Sequence, residues 1–235
     1  LTGLGIDTSG DVLSVALLRN DESYYAEMDA GLRHSERLMA VIDGLLAMAA
    51  AKPTDLDFVA CLGGPGSFTG LRIGLSAAKG LSTALGIPLY TVPTLEAAAA
   101  ARSSWPDTVL PLIDAKKNRW YTAAFKGGVR RCEDMDAGAE DIVRILKNTR
   151  SSVILVCGTD APRAADILSA ALPEARFVVD ADFRRGAAKE LVVIARDRMA
   201  SGDRGADASV GLEYLRKSEA EITRDQKTGE ADERR

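Results

Sequence analysis

Apolar positions along this chain change rhythm several times, and each change predicts an element. Leu4–Asp7 and Val12–Leu17 are short apolar runs separated by Thr8-Ser9-Gly10-Asp11, a polar tetrad of the kind that turns one strand into the next. Ser23–Met28 supplies a third strand. From Ser35, expected to cap, the spacing becomes helical. Leu38, Val41, Ile42, Leu45, Leu46 and Ala49 lie on one face of an amphipathic helix that Pro53 ends. Strand Phe58–Leu62, helix Leu71–Leu85 closed by Gly86, strand Pro88–Val92 and an alanine-rich helix Thr94–Arg102 follow. Residues 1–103 therefore read βββαβαβα, a first lobe.

After Trp105-Pro106 the pattern restarts. Val109–Ile113 and Arg119–Phe125 predict a strand pair joined by Asp114-Ala115-Lys116-Lys117-Asn118. Helix Ala139–Lys147, strand Val153–Cys157, helix Ala161–Leu172 and a short strand at Phe177-Val178-Val179 complete a second lobe over 104–185. Helix Ala187–Ser201 and a short strand Leu212–Arg216 make a closing segment, 186–216. Residues 217–235 are charged, with Ile222 as the one large apolar side chain, and read as a disordered tail. The second lobe echoes the first in shortened form, with negligible sequence identity between them.

Composition narrows the class. The chain has 235 residues, 46% hydrophobic and 27% charged, as an ordinary globular protein does. A net charge of −4 argues against gripping nucleic acid unaided, because phosphate neutralisation needs a basic surface; only a local basic patch is left open. No run approaches the ~18 apolar residues of a membrane span, and the opening is a strand rather than a leader. Cys61, Cys132 and Cys157 form no CxxC pair, and two of them sit in apolar runs, so buried free thiols are expected. The expectation is a reduced, cytoplasmic protein with no membrane contact.

Candidate chemistry centres on Gly63–Gly86. In the helix there, Gly70, Gly74, Ala78 and Ser82 recur every four residues as a ridge of small side chains. Each helical glycine costs about 1 kcal/mol against alanine, so the ridge implies close backbone approach to something. The expectation is a partner subunit, with Leu71, Leu75 and Leu85 turned toward the chain's own sheet. The loop before the helix fails the known glycine signatures: no Lys follows Gly70, Gly64/Gly66/Gly70 are misspaced for a dinucleotide fingerprint, and Ser67 is misplaced for a nucleophile elbow. Ser67 reads as a loop hydroxyl or helix cap. The turn Asp7-Thr8-Ser9-Gly10 offers backbone N–H groups, hydroxyls and a carboxylate of the sort that hold phosphate and a hydrated magnesium ion, though any hairpin turn uses the same residues. His34, the lone histidine, stands at the entry to the first amphipathic helix and excludes any site built on two histidines.

Together the pieces resemble the TsaB family, also called YeaZ, a bacterial partner protein in making threonylcarbamoyl-adenosine in tRNA. The resemblance rests on Ile6-Asp7-Thr8-Ser9, His34-Ser35-Glu36, the block Gly64-Pro65-Gly66-Ser67-Phe68-Thr69-Gly70-Leu71-Arg72-Ile73-Gly74, Ile113-Asp114-Ala115 and Tyr214-Leu215-Arg216. It implies an α/β, two-lobed fold of the actin, sugar kinase and chaperone ATPase type (ASKHA), with a truncated second lobe. TsaD, the catalytic relative, shares the glycine block but carries a metal-binding His-x-Glu-Gly-His on the helix that follows the strand matching Pro88–Val92. Here the matching positions read Thr94-Leu95-Glu96-Ala97-Ala98, so both ligands are missing and no metal site is expected.

The resemblance thus implies a non-catalytic subunit of the tRNA N6-threonylcarbamoyladenosine machinery, with no catalytic residues of its own. Its interface with a TsaD-like subunit is expected on the paired helices Ser35–Ala51 and Gly70–Leu85, at His34, Leu38, Val41, Gly70, Arg72, Gly74 and Ala78. A TsaE-like ATPase is the expected third partner, tRNA is met only through the complex, and a homodimer is the alternative assembly of the isolated chain. No cofactor is expected to be tightly bound. Any ATP or ADP with Mg is expected at a subunit boundary, facing Asp7, Thr8, Ser9 and Asp114. The rival classes are an active actin-like phosphotransferase of unknown substrate and a peptidase.

Overall fold

The structure is a computed structural model that describes residues 1–182, 185–206 and 210–212. The first lobe contains β1 (Thr2–Asp7), β2 (Val12–Arg19), β3 (Glu22–Asp29), α1 (His34–Met48), β4 (Phe58–Gly64), α2 (Phe68–Leu85), β5 (Leu89–Pro93) and α3 (Thr94–Ala100). The second contains β6 (Thr108–Asp114), β7 (Trp120–Thr122), β8 (Phe125–Lys126), β9 (Val129–Arg130), β10 (Met135–Ala137), α4 (Ala139–Thr149), β11 (Val153–Cys157), α5 (Ala161–Ala171) and β12 (Arg176–Val179), followed by α6 (Ala188–Ala200).

The two sheets share one topology. The first has strand order β3-β2-β1-β4-β5, and the main path of the second is β10-β7-β6-β11-β12. In each, the first three strands run antiparallel and the last two add parallel to the first strand. The echo in the hydrophobic pattern is therefore a repeated unit.

Helix packing follows the same repeat. On one face of the first sheet, α1 and α2 bury Leu38, Ile42, Leu45, Leu75 and Ala78 against Leu4, Ile6, Val15 and Val59. On the other face lies α6, whose Leu191, Val192 and Ala195 meet Ala16, Phe58, Ala60 and Leu62. In the second lobe α4 and α5 cover one face, and α3 reaches across from the first lobe to lay Leu95 and Ala99 on Val109, Phe125 and Leu155. Each lobe thus receives its last helix from the other. The segment expected as a separate closing unit belongs, through α6, to the core of the first lobe. At the lobe junction Arg102, buried beside α3, donates Nε to Asp180 at 2.6 Å and further hydrogen bonds to the Ala98 and Asp182 carbonyls.

Several local readings are corrected. Helix α1 starts at His34, with Arg33 in the cap position and no side-chain cap bond, so Ser35 lies inside the first turn. The strand expected over Arg119–Phe125 is two, because Ala123 and Ala124 leave the ladder and β8 moves along β6 to pair at Val109. The β8–β9 hairpin turns at Gly127-Gly128, both with positive φ. Of the expected strand Leu212–Arg216, Leu212 is described and is not in a strand; its remaining residues and the tail lie outside the described residues.

The small-residue ridge points inward. Gly70, Gly74 and Ala78 are buried within this chain. A Cβ at Gly74 would stand 2.5 Å from Thr8 Oγ1, and one at Gly70 would overlap the Thr8 carbonyl. The close approach read from the glycines is real, but what approaches is β1 and the turn after it. No partner can use these three residues as contacts, and a side chain there overpacks the core. Leu71 and Leu75 are buried as expected, with Leu85 half-buried against the same core.

Two measurements check this packing. Gly74→Leu should cost about 1–3 kcal/mol, lowering the melting temperature by several degrees; an unchanged melting curve would return the ridge to the surface. Burial pushes the thiol of Cys61 up to about 12 and that of Cys157 to about 11, so almost no thiolate forms on either at pH 8. One fast thiol, the half-buried Cys132, should react with a disulfide reagent in the native protein, and the other two only on unfolding.

Candidate functional site

Two regions gather the residues singled out in the sequence: the turns that follow β1 and β6, and the outer face of α1 and α2.

The turn after β1 is tightly tied down. Asp7 is buried, and its Oδ1 accepts from the Ser9 N–H at 2.9 Å and the Ser9 hydroxyl at 2.7 Å. Its Oδ2 accepts from Ala187 N at 2.8 Å, and Ser14 Oγ accepts from Ala188 N at 3.3 Å. A carboxylate at a helix N-terminus satisfies orphan N–H groups and complements the dipole. Asp7 therefore anchors α6 to the first lobe. Thr8 Oγ1 donates to the Gly70 carbonyl at 2.7 Å, and the Ser9 carbonyl accepts from Ser67 N at 2.7 Å, which joins this turn to the start of α2.

The equivalent turn of the second lobe follows β6. Asp114 accepts from Lys116 N at 2.8 Å and Lys116 Nζ at 2.6 Å, with Arg163 at 3.9 Å. Arg163 is itself fixed by Asp160, by Asn118 Oδ1 at 2.8 Å and over the Trp120 ring at 5.2 Å. The hydrogen bond to Asp114 holds the Lys116 ammonium above its usual pKa, with Asp11 of the first lobe and Asp160 adding to it. Neither the Asp7 nor the Asp114 carboxylate stands open. One is a structural clasp for α6, and the other is neutralised by Lys116 and Arg163. As they stand they are poor magnesium ligands.

On the outer face, α1 and α2 enclose a groove of about 480 Å³ lined by Leu38, Met39, Phe68, Arg72, Ile73 and Ala77, with Ser35, Thr69 and Ser76 at its edges. Met39 is 47% and Phe68 38% exposed, which for such apolar side chains marks a surface suited to contact. The Arg72 guanidinium lies 3.7 Å from the centroid of the Phe68 ring. Ser67 caps α2 by accepting from Gly70 N at 3.2 Å, which sets Phe68 in the first turn, facing out.

The seven expected interface residues divide. Arg72 lines the groove and Leu38 forms part of it while packed in the core. Val41 is half-buried against the core, His34 is buried, and Gly70, Gly74 and Ala78 turn inward. Sequence reasoning missed Met39, Phe68, Ile73 and Ala77. Met39 and Phe68 carried a signal as apolar residues outside the buried face of each helix, whereas Ile73 and Ala77 pack partly against the core.

Position 94 begins α3, with Thr94 buried and its hydroxyl unpartnered, and Glu96 is held by Arg198 at 3.1 Å. Among the described residues no three His, Cys, Asp or Glu side chains converge as metal ligands. No helix among them is long and apolar enough to cross a membrane.

Comparison with known proteins agrees with this architecture. A family model described as TsaD, tRNA N6-adenosine threonylcarbamoyltransferase, matches residues 28–223. The chain is 31% identical over 227 residues to the tRNA threonylcarbamoyladenosine biosynthesis protein TsaB of Bacillus subtilis, covering 94% of this chain and 96% of that one. It is 34% identical over 140 residues to Escherichia coli TsaB, covering 57% and 60%. YeaZ from Pseudomonas aeruginosa superposes with a TM-score of 0.72 at 26% identity, over 91% of this chain and 100% of that one. A second solved structure, described as similar to the peptidase YeaZ from Pseudomonas aeruginosa, gives 0.75 at 25% identity over 92% and 99%. With near full-length similarity in sequence and a shared two-lobed fold, the chain belongs to the TsaB family, within the broader group that the TsaD model describes.

Proposed function

We propose that this chain is a non-catalytic subunit of the machinery that makes N6-threonylcarbamoyladenosine in tRNA, and that it docks a TsaD-like catalytic subunit through the α1–α2 groove. The observation that carries the docking surface is the groove itself, an apolar concavity flanked by exposed Met39 and Phe68 on two adjacent helices. Helices pack by fitting ridges into grooves, so an opposing helix pair is the natural occupant. Supporting the non-catalytic reading, Thr94 and Ala98 stand where the TsaD resemblance places histidine ligands, and α3 is buried between the lobes.

The rival activities lack their chemistry. A phosphotransferase needs carboxylates open to magnesium, whereas Asp7 and Asp114 are engaged by Ser9, Ala187, Lys116 and Arg163. A peptidase of the nucleophile–base kind needs its serine beside a histidine. Here Ser67 Oγ caps α2, and His34 Nε2 is buried without a hydrogen-bond partner. On the proposed reading, any ATP or ADP with magnesium binds at a boundary where a partner supplies the metal-facing groups. A TsaE-like ATPase is the third component, and a homodimer of the isolated chain would use the same groove.

Met39→Glu should leave the melting temperature within about a degree, because surface substitutions typically change stability by under 0.5 kcal/mol. It should weaken association with the TsaD-like subunit of the same organism at least tenfold, measured by co-purification and calorimetry. Full-strength association would dismiss the groove as the docking face. The purified chain should show ATP turnover indistinguishable from buffer and no stoichiometric zinc or iron, while tRNA modification in a reconstituted system should require it. Turnover near the ~10 s⁻¹ typical of enzymes would move the phosphotransferase reading to first place.

A further inference from the structure

The second lobe carries a concavity that the docking reading does not use. It lies between the β8–β9 hairpin and α4, has a volume of about 470 Å³, and is lined by Lys126, Arg131, Cys132, Ile145, Asn148 and Thr149. Its charged lining residues are both cations, and no carboxylate lines it. Around it the segments 126–131 and 144–150 carry Lys126, Arg130, Arg131, Arg144, Lys147 and Arg150.

Three of these cations are held by carboxylates: Lys126 by Asp107 at 3.0 Å, Arg144 by Asp141 at 2.9 Å, and Arg130 by Asp134. These pairs fix the walls. Burial alone would raise Asp107, but the Lys126 ammonium and the backbone N–H groups of Val153 and Ser152 hold it at about 2. Arg130 also lies over the Phe125 ring at 4.8 Å, which steadies the hairpin.

The other three, Arg131, Lys147 and Arg150, are exposed and form no ion pair among the described residues. Arg131 donates a 3.3 Å hydrogen bond to the Lys126 carbonyl, which leaves most of its guanidinium fork unused. Lys147 and Arg150 stand at the C-terminal end of α4, where the helix dipole favours cations. Asn148 adds an exposed side-chain amide.

We infer that this recess receives a phosphodiester of an RNA backbone. The inference rests on the reading of this chain as part of a tRNA-modifying assembly. The chemistry favours phosphate and sugar over base: the Arg131 fork and the Asn148 amide on the lining suit phosphate oxygens, Lys147 and Arg150 follow on the same helix end, and no aromatic side chain lines the cavity for a base to stack on. Such a contact positions a nucleic acid without reading its sequence. It also reconciles a chain of net charge −4 with a role in handling RNA, because one local concentration of cations is enough for one or two phosphates when a partner supplies the rest.

The test uses the assembled complex of this chain with its TsaD-like partner and an unmodified tRNA transcript. Arg131→Glu should weaken tRNA affinity about tenfold in fluorescence anisotropy, as removal of a charge-assisted hydrogen bond does. It should also make the slope of log affinity against log salt shallower by about 0.7–0.9 for each phosphate that is no longer neutralised, and leave partner association unchanged. The exposed pair Lys147→Glu/Arg150→Glu should act in the same direction, and it keeps the test open if Arg131→Glu unfolds. Wild-type tRNA affinity and salt slope in a folded variant complex would overturn the inference. So would failure of partner assembly with unchanged tRNA affinity in the residual complex, which would make the recess a protein-binding surface. If the wild-type chain assembles with no such partner, the parent reading fails; tRNA retention by the chain alone, wild type against Arg131→Glu, then decides the recess separately.

Discussion

The architecture of the first lobe depends on how closely the backbone of α2 lies against the end of β1. Thr8 gives its hydroxyl to the Gly70 carbonyl, Ser9 accepts from Ser67 N, and Gly70 and Gly74 leave no room for a side chain between. Glycine in a helix interior is costly, and here the cost is offset by burial and by two hydrogen bonds that join turn to helix. Once α2 is held in that orientation its outward face is determined. Phe68, Arg72, Ile73 and Ala77 must then border α1, and the groove between the helices is the result. A contact surface on the outside is thus set by a steric constraint on the inside.

A second constraint joins the lobes. Each sheet is covered on one face by a helix that the other lobe sends across, α6 to the first and α3 to the second. Neither sheet would be buried on both faces without that exchange. Asp7 closes the arrangement, since its carboxylate accepts from the Ala187 N–H at the start of α6 while ordering Ser9. At Gly5 a Cβ would sit 2.7 Å from the Ala188 carbonyl, so β1 is approached closely from this side as well. The acidic turn after β1 is part of the clasp that fixes α6 on the first lobe.

The surface features divide between the lobes in keeping with this plan. The first lobe presents an apolar groove on paired helices, while the second presents a recess walled by cations that short-range ion pairs hold in position. Apolar burial suits a protein partner, and the cations left over from those pairs, Arg131, Lys147 and Arg150, suit an anionic one. The carboxylates of the turns after β1 and β6 are committed to internal contacts.

Periodicity, turn residues and composition were enough to place most helices and strands, the repeat of the two lobes and the family. These depend on local patterning and on short motifs such as Gly64–Gly74, which a linear reading captures. The spacing also showed that α2 must approach something closely. It could not show what, because Gly70 and Gly74 look the same whether the neighbouring backbone belongs to another subunit or to Thr8, 62 residues before Gly70 in the chain. The splitting of the strand after Arg119 was likewise hidden, since β8 pairs at the far end of β6 for reasons of sheet geometry rather than sequence. The role of Asp7 was decided by Ala187, distant in sequence, whose arrival at that carboxylate is a property of the packed structure, whereas Asp114 is held chiefly by its near neighbour Lys116. Sequence alone determined which residues are small, charged or apolar and what local structure they form; only the tertiary structure decided which way each faces, because facing is set by long-range packing.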